Sequence, residues 1–142
     1  MQALKAADIR FGAREAESDS VEMSSDKRRQ AQALCETVRV TLKGQSEGWK
    51  SRSLFERQWV IRDFKKTAGM PAEEWLSMLE RLEENLRGGG AITPLPLEKL
   101  AGYYQHLADL AKGYEKDPAR LEENLRYVYG WRDEVKALEE IL

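Results

Sequence analysis

Side chains that carry chemistry are scarce in this sequence. It has one histidine, His106, and one cysteine, Cys35. A lone histidine excludes metal sites built on two histidines, and any Ser-His-Asp or Cys-His machinery would have to rest on His106 alone. A lone cysteine excludes an internal disulfide framework and fits a reducing, cytosolic compartment. Apolar runs are short, as in Trp59-Val60-Ile61, against the roughly 20 residues a membrane-spanning helix needs. The opening MQALKAADIRFGARE lacks the apolar stretch of a secretory signal, and its Asp8 and Glu15 argue against a transit peptide. Acids are plentiful, yet no Glu-x-x-His pair of the kind that builds carboxylate-bridged metal centres in helical bundles is present. The triple glycine Gly88-Gly89-Gly90 lacks the lysine and hydroxyl residue of a phosphate-binding loop and follows a helical pattern instead of preceding one. These absences lead to an expectation of a non-enzyme without metal or cofactor, soluble and cytoplasmic.

What is present is helix. The 142 residues suit one domain, and 34% charged with 42% hydrophobic residues is the balance of a helix-rich soluble protein. Residues 1–23 carry only a weak pattern, Leu4, Ala7 and Phe11 on one face, followed by a polar stretch, and read as a flexible arm or short docking helix. From residue 24 onward the periodicity is clear. Ala31, Leu34, Val38 and Leu42 mark a first helix, expected to stop at Gly44. Ser53-Leu54-Phe55-Glu56 is a capping box opening a second helix, which ends at Gly69. Pro71 is suited to the first position of a third, whose stripe is Ala72, Trp75, Leu79, Leu82 and Leu86. Leu97, Leu100, Ala101, Tyr104, Leu107, Ala108 and Ala111 define a fourth, and Asp117-Pro118 caps a fifth that runs to the end, where Gly130 is expected to mark a close contact or a bend. No alternating run with hairpin chemistry occurs. The expected fold is an all-α bundle of four to five helices over 24–142.

The heptapeptide RLEENLR occurs twice, at 81–87 and 120–126. The first copy closes helix three and the second opens helix five, and their flanks share almost nothing. Each supplies a Leu pair at i and i+4 and a Glu four residues ahead of an Arg, which is good helix chemistry reached twice and not a solenoid repeat. Its acids, with the others on helices three and five, are expected on a solvated face.

Charge carries the one positive functional signal. Residues 1–26 have a net charge of −3, residues 27–66 of +7 and residues 67–142 of −6. The basic block holds Lys27, Arg28 and Arg29, then Lys50, Arg52, Arg57, Arg62, Lys65 and Lys66, interleaved with Trp49, Phe55, Trp59 and Phe64. Cations neutralise phosphates and an exposed ring stacks on an unpaired base, so the pattern predicts a weak, sequence-independent surface for single-stranded nucleic acid. Trp49, lying before the helix cap, is the expected exposed ring. The competing expectation is that these cations pair with the protein's own acids.

In architecture alone, without a shared motif, such a chain resembles small helical domains that coat or line a nucleic acid. Among them are the small subunits of CRISPR effector complexes, phage helicase loaders and plasmid partition accessories. That resemblance implies a non-catalytic subunit of a larger nucleoprotein assembly. The alternative is a protein–protein adaptor or homo-oligomeric scaffold. It would dock a partner through the seven-residue seam of helix five, Leu121, Val128, Val135 and Leu142, with Trp131 and Leu138 filling the other positions.

Overall fold

The computed structural model describes residues 23–142. The expected N-terminal arm, with Leu4, Ala7 and Phe11, lies outside the described residues except for Met23. The described chain forms five α-helices and no strand: α1 (Ser25–Gly48), α2 (Leu54–Ala68), α3 (Ala72–Gly88), α4 (Leu97–Tyr114) and α5 (Pro118–Ile141). The all-α bundle is thus the fold.

Local chemistry accounts for most of the boundaries. The Ser24 hydroxyl accepts from the Lys27 amide, the Ser53 hydroxyl from the Glu56 amide and the Asp117 carboxylate from the Ala119 amide, each satisfying a first-turn N–H that has no helical partner. Gly69 (φ 90°) and Gly89 (φ 78°) close α2 and α3 in the left-handed conformation that a side chain disfavours. Three expectations change. Helix α1 passes through Gly44 to Gly48 and into a 3-10 turn, Trp49–Ser51. The roughly 1 kcal/mol helical penalty of a glycine is too small to stop a helix whose Leu42 is fully buried and whose Gln45 is held by Tyr104. Pro71 is the N-cap of α3, its ψ of 157° extended, so α3 begins at Ala72. Gly130 is not a close contact: nothing lies within 4 Å of where its Cβ would stand, and α5 runs through it without interruption.

Helices α1, α3, α4 and α5 form the body. α1 packs between α3 and α5, and α5 pairs with α4 over most of its length. The pairs run antiparallel: Arg28 meets Asn85 and Leu86 while Cys35 meets Leu79, and Tyr104 meets Trp131 while Lys112 meets Tyr129. Trp75, Leu79, Leu82 and Leu86 are buried as their spacing predicts, worth roughly 6–12 kcal/mol gross, and Trp75 Nε1 donates to the Ala68 carbonyl at 3.0 Å. α2 is attached differently. It leans mainly on α4 and the 3-10 turn, with a small contact to α3. Its fully buried side chains are Phe64 and Ala68. A chain of rings ties it to the body: Trp49 to Phe64 (5.5 Å between centroids), Phe64 to Tyr103 (4.6 Å, edge to face), Tyr103 to Tyr104 (5.5 Å) and Tyr104 to Trp131 (5.8 Å).

Candidate nucleic-acid interface

Because α2 has so narrow an anchoring face, most of its circumference meets solvent. At 100° per residue, Phe55, Trp59, Arg62 and Lys66 fall within an arc of about 60°, a single stripe along the side opposite Phe64. Phe55 is 76% and Trp59 45% exposed, and Arg62, Lys65 and Lys66 are exposed. Leu54 and Ile61, also exposed, lie beside the stripe in the same row as Lys65. Among the described residues no ion pair engages Arg62, Lys65 or Lys66. Lys65 and Lys66 occupy the last turn of α2, where the free carbonyls favour cations. A further cation joins them from another element: the Lys99 side chain lies over Gly69, its Cδ 3.1 Å from the position a Cβ would take. Sequence spacing held no signal for Lys99, because only tertiary packing brings the start of α4 to the end of α2.

The expected forty-residue cationic patch does not hold together. Lys27, Arg28 and Arg29 sit at the head of α1, about 36 Å of helix away from the 3-10 turn. Arg28 Nη1 donates to the carbonyls of Asn85 (3.1 Å) and Leu86 (3.2 Å), closing the C-terminus of α3, and Arg29 pairs with Asp26 at 2.6 Å. Lys27 is exposed but remote. Arg39, also in the block, is held by Glu83 at 2.7 Å. Arg57 is half-buried and faces a hollow also lined by Glu47 and Glu73. Lys50 and Arg52 are exposed next to α2.

Trp49 is the main correction. It is only 9% exposed and packs at a tilt against Phe64, because the continuation of α1 into a 3-10 turn swings the ring beneath α2. Trp59 and Phe55 take the exposed role instead. The seam of helix five is corrected as well. Val128, Val135 and Leu138 are buried, Trp131 is half-buried against Tyr104, Leu121 is half-buried, and Leu142 is at the exposed end. The seven-residue spacing serves packing of α5 on α1 and α4 and leaves no stripe for a partner helix.

Cys35, His106 and Glu83 are engaged structurally. Cys35 donates its thiol to the Leu79 carbonyl at 3.2 Å, and burial pushes its pKa from 9.0 up to about 12, which keeps it protonated and unreactive at neutral pH. His106 Nε2 contacts both carboxylate oxygens of Asp63, at 2.9 and 3.2 Å, pinning α4 to α2; Asp109, one turn along α4, accepts from Gln105. Glu83 leaves the expected solvated face: it is 6% exposed and bridged to Arg39, with Arg87 at 3.6 Å. Among the described residues no group of three or more His, Cys, Asp or Glu side chains could hold a metal, and no helix is long and apolar enough to cross a membrane.

No protein-family model matches the chain, and no curated protein or solved structure matches it.

Proposed function

We propose that the protein is a non-catalytic helical subunit of a larger cytosolic nucleoprotein assembly, contacting nucleic-acid backbone through the outer face of α2. The observation that supports this is the stripe on which exposed Phe55 and Trp59 continue directly into unpaired Arg62 and Lys66, with Lys65 and Lys99 alongside. Cations at one- to two-turn spacing neutralise successive phosphates, and rings on the same face stack on unpaired bases, so single strands are favoured over duplex. Binding is measured by fluorescence anisotropy with a labelled oligonucleotide. With about three phosphates neutralised, log affinity falls against log salt with a slope of about −2 for a single strand. The triple variant Arg62→Glu, Lys65→Glu, Lys66→Glu, all at exposed positions, abolishes binding without loss of fold. Undiminished binding by that variant would discard the surface.

A protein partner on the same helix is the second reading, favoured by Leu54 and Ile61, whose exposed side chains a phosphate backbone does not use. Light scattering across a concentration series separates self-association through this face from a monomer.

A further inference from the structure

The stripe on α2 does not end in open solvent. Trp59 lines two neighbouring hollows. One is cationic, with Arg62, Lys65 and Lys66. The other is an aromatic cleft of about 380 Å³ between α2, α4 and α5, walled by Trp59, Tyr103, Leu107 and Trp131. That volume lies at the small end of ligand pockets, which span roughly 300–1,000 Å³. Arg52, exposed, lines the rim of the cleft, and the groove beyond it shares Arg52, Leu107 and Trp131. Asp63, held by His106 at 2.9 Å, also lines both hollows; Arg52 at one rim and Arg62 in the neighbouring hollow supply the phosphate-neutralising charge beside walls that are mainly planar rings.

Gln45 also lines this cleft. Its Oε1 accepts from the Tyr104 hydroxyl at 3.0 Å, while its Nε2 is buried and has no acceptor among the described residues. A donor with so little accessible surface is out of reach of a ligand seated in the cleft, so what the cleft offers is its rings and the cations beside it. We infer that the cleft seats one unpaired base of the bound strand, stacked against Trp59 and Trp131. The flanking phosphates lie on Arg52 and on Arg62. The inference rests on the nucleic-acid reading of α2 and adds to it a site for the base. A neutral apolar peptide would use the walls and leave the flanking cations idle.

The experiment compares a short oligothymidylate with an abasic oligonucleotide of the same length, titrated against the full chain, and repeats both with Trp131→Ala. The base-bearing strand binds at least about ten-fold more tightly than the abasic one, and Trp131→Ala removes that difference while leaving abasic binding unchanged. Equal binding of the two strands by the unaltered protein overturns the base site and leaves the backbone reading standing; absence of binding to both overturns both. Should Trp131→Ala fail to fold, a 2-aminopurine placed mid-strand gives the readout in the unaltered protein. Its fluorescence is quenched on stacking in the cleft, and unchanged emission in the bound complex overturns the proposal.

Discussion

The two copies of RLEENLR adopt the same helical backbone and meet different surroundings. In the first, within α3, Leu82 and Leu86 are buried on the face that packs on α1, Glu83 is buried with them, and the Asn85 and Leu86 carbonyls are capped by Arg28. In the second, at the start of α5, Leu121 and Leu125 are half-buried and every other residue of the heptapeptide is exposed. Position in the bundle separates them. The last turns of α3 lie along α1, whereas the first turns of α5 pair with the end of α4, where the nearby tyrosines, Tyr114 and Tyr127, stand exposed. The glutamates show the difference best. Glu83 answers Arg39 across a helix pair, while Glu122 stays in water.

The comparison can be broken by substitution. The largest effect is expected at the leucines: Leu86→Ala costs about 2–5 kcal/mol of unfolding free energy, and Leu125→Ala, at a site already half in water, about half as much or less, read from urea or guanidinium midpoints. Equal losses would mean that α5's first turns are as tightly packed as α3's last. Glu83→Ala comes next. It removes the main partner of the Arg39 guanidinium, whose pairing with Glu83 raises its already high pKa, at a cost of about 1.5–3 kcal/mol; Arg39 keeps some exposure and the nearby Glu36 and Glu80, which holds the loss below that of a fully buried pair. Glu122→Ala is expected to change stability by less than about 0.5 kcal/mol.

A third prediction uses pH to probe the packing around the first copy. Burial, with the nearby Glu83 charge adding to it, holds the Cys35 thiol protonated in the folded state up to about pH 12, while the unfolded thiol ionises near 9.0. Above pH 9 the unfolded chain therefore releases a proton that the folded chain retains, so stability is full below 9 and declines as pH rises toward 12. Tyr103 and Tyr104, whose pKa values burial also raises, add loss of the same sign at higher pH. Cys35→Ala makes the denaturation midpoint less sensitive to pH between about 8 and 10.5. An unaltered slope would show that the thiol is not shielded. The smallest expected difference is in hydrogen exchange: the amides of 121–126 exchange faster than those of 82–87, because fewer buried contacts must open to release them.

Much of the fold was legible from the chain. The Ser53 cap, the left-handed cap at Gly69, the Asp117-Pro118 start and the stripe of α3 are all local chemistry, so each element could be placed from its own residues. The boundaries that moved are those decided by neighbours. Gly44 was overridden by packing on both sides of it, and Pro71 was displaced by one position through its ψ. The candidate site was less legible. Spacing identified α2 as basic and aromatic but could not say which ring faces out. Trp49 and Trp59 differ in exposure only because one lies under α2 and the other on it. Nor could it show that Arg28 closes another helix, that Glu83 is buried, or that Lys99 joins the cations of α2.

By itself, then, the sequence determined the helices, their caps and the concentration of positive charge in residues 27–66, since these depend on interactions within a turn or two of chain. Tertiary structure alone decided which of those charges remain available, which tryptophan meets solvent, and that one heptapeptide serves as core while its twin serves as surface. Burial and pairing are properties of what lies across the helix interface, and that information is spread over residues dozens of positions away.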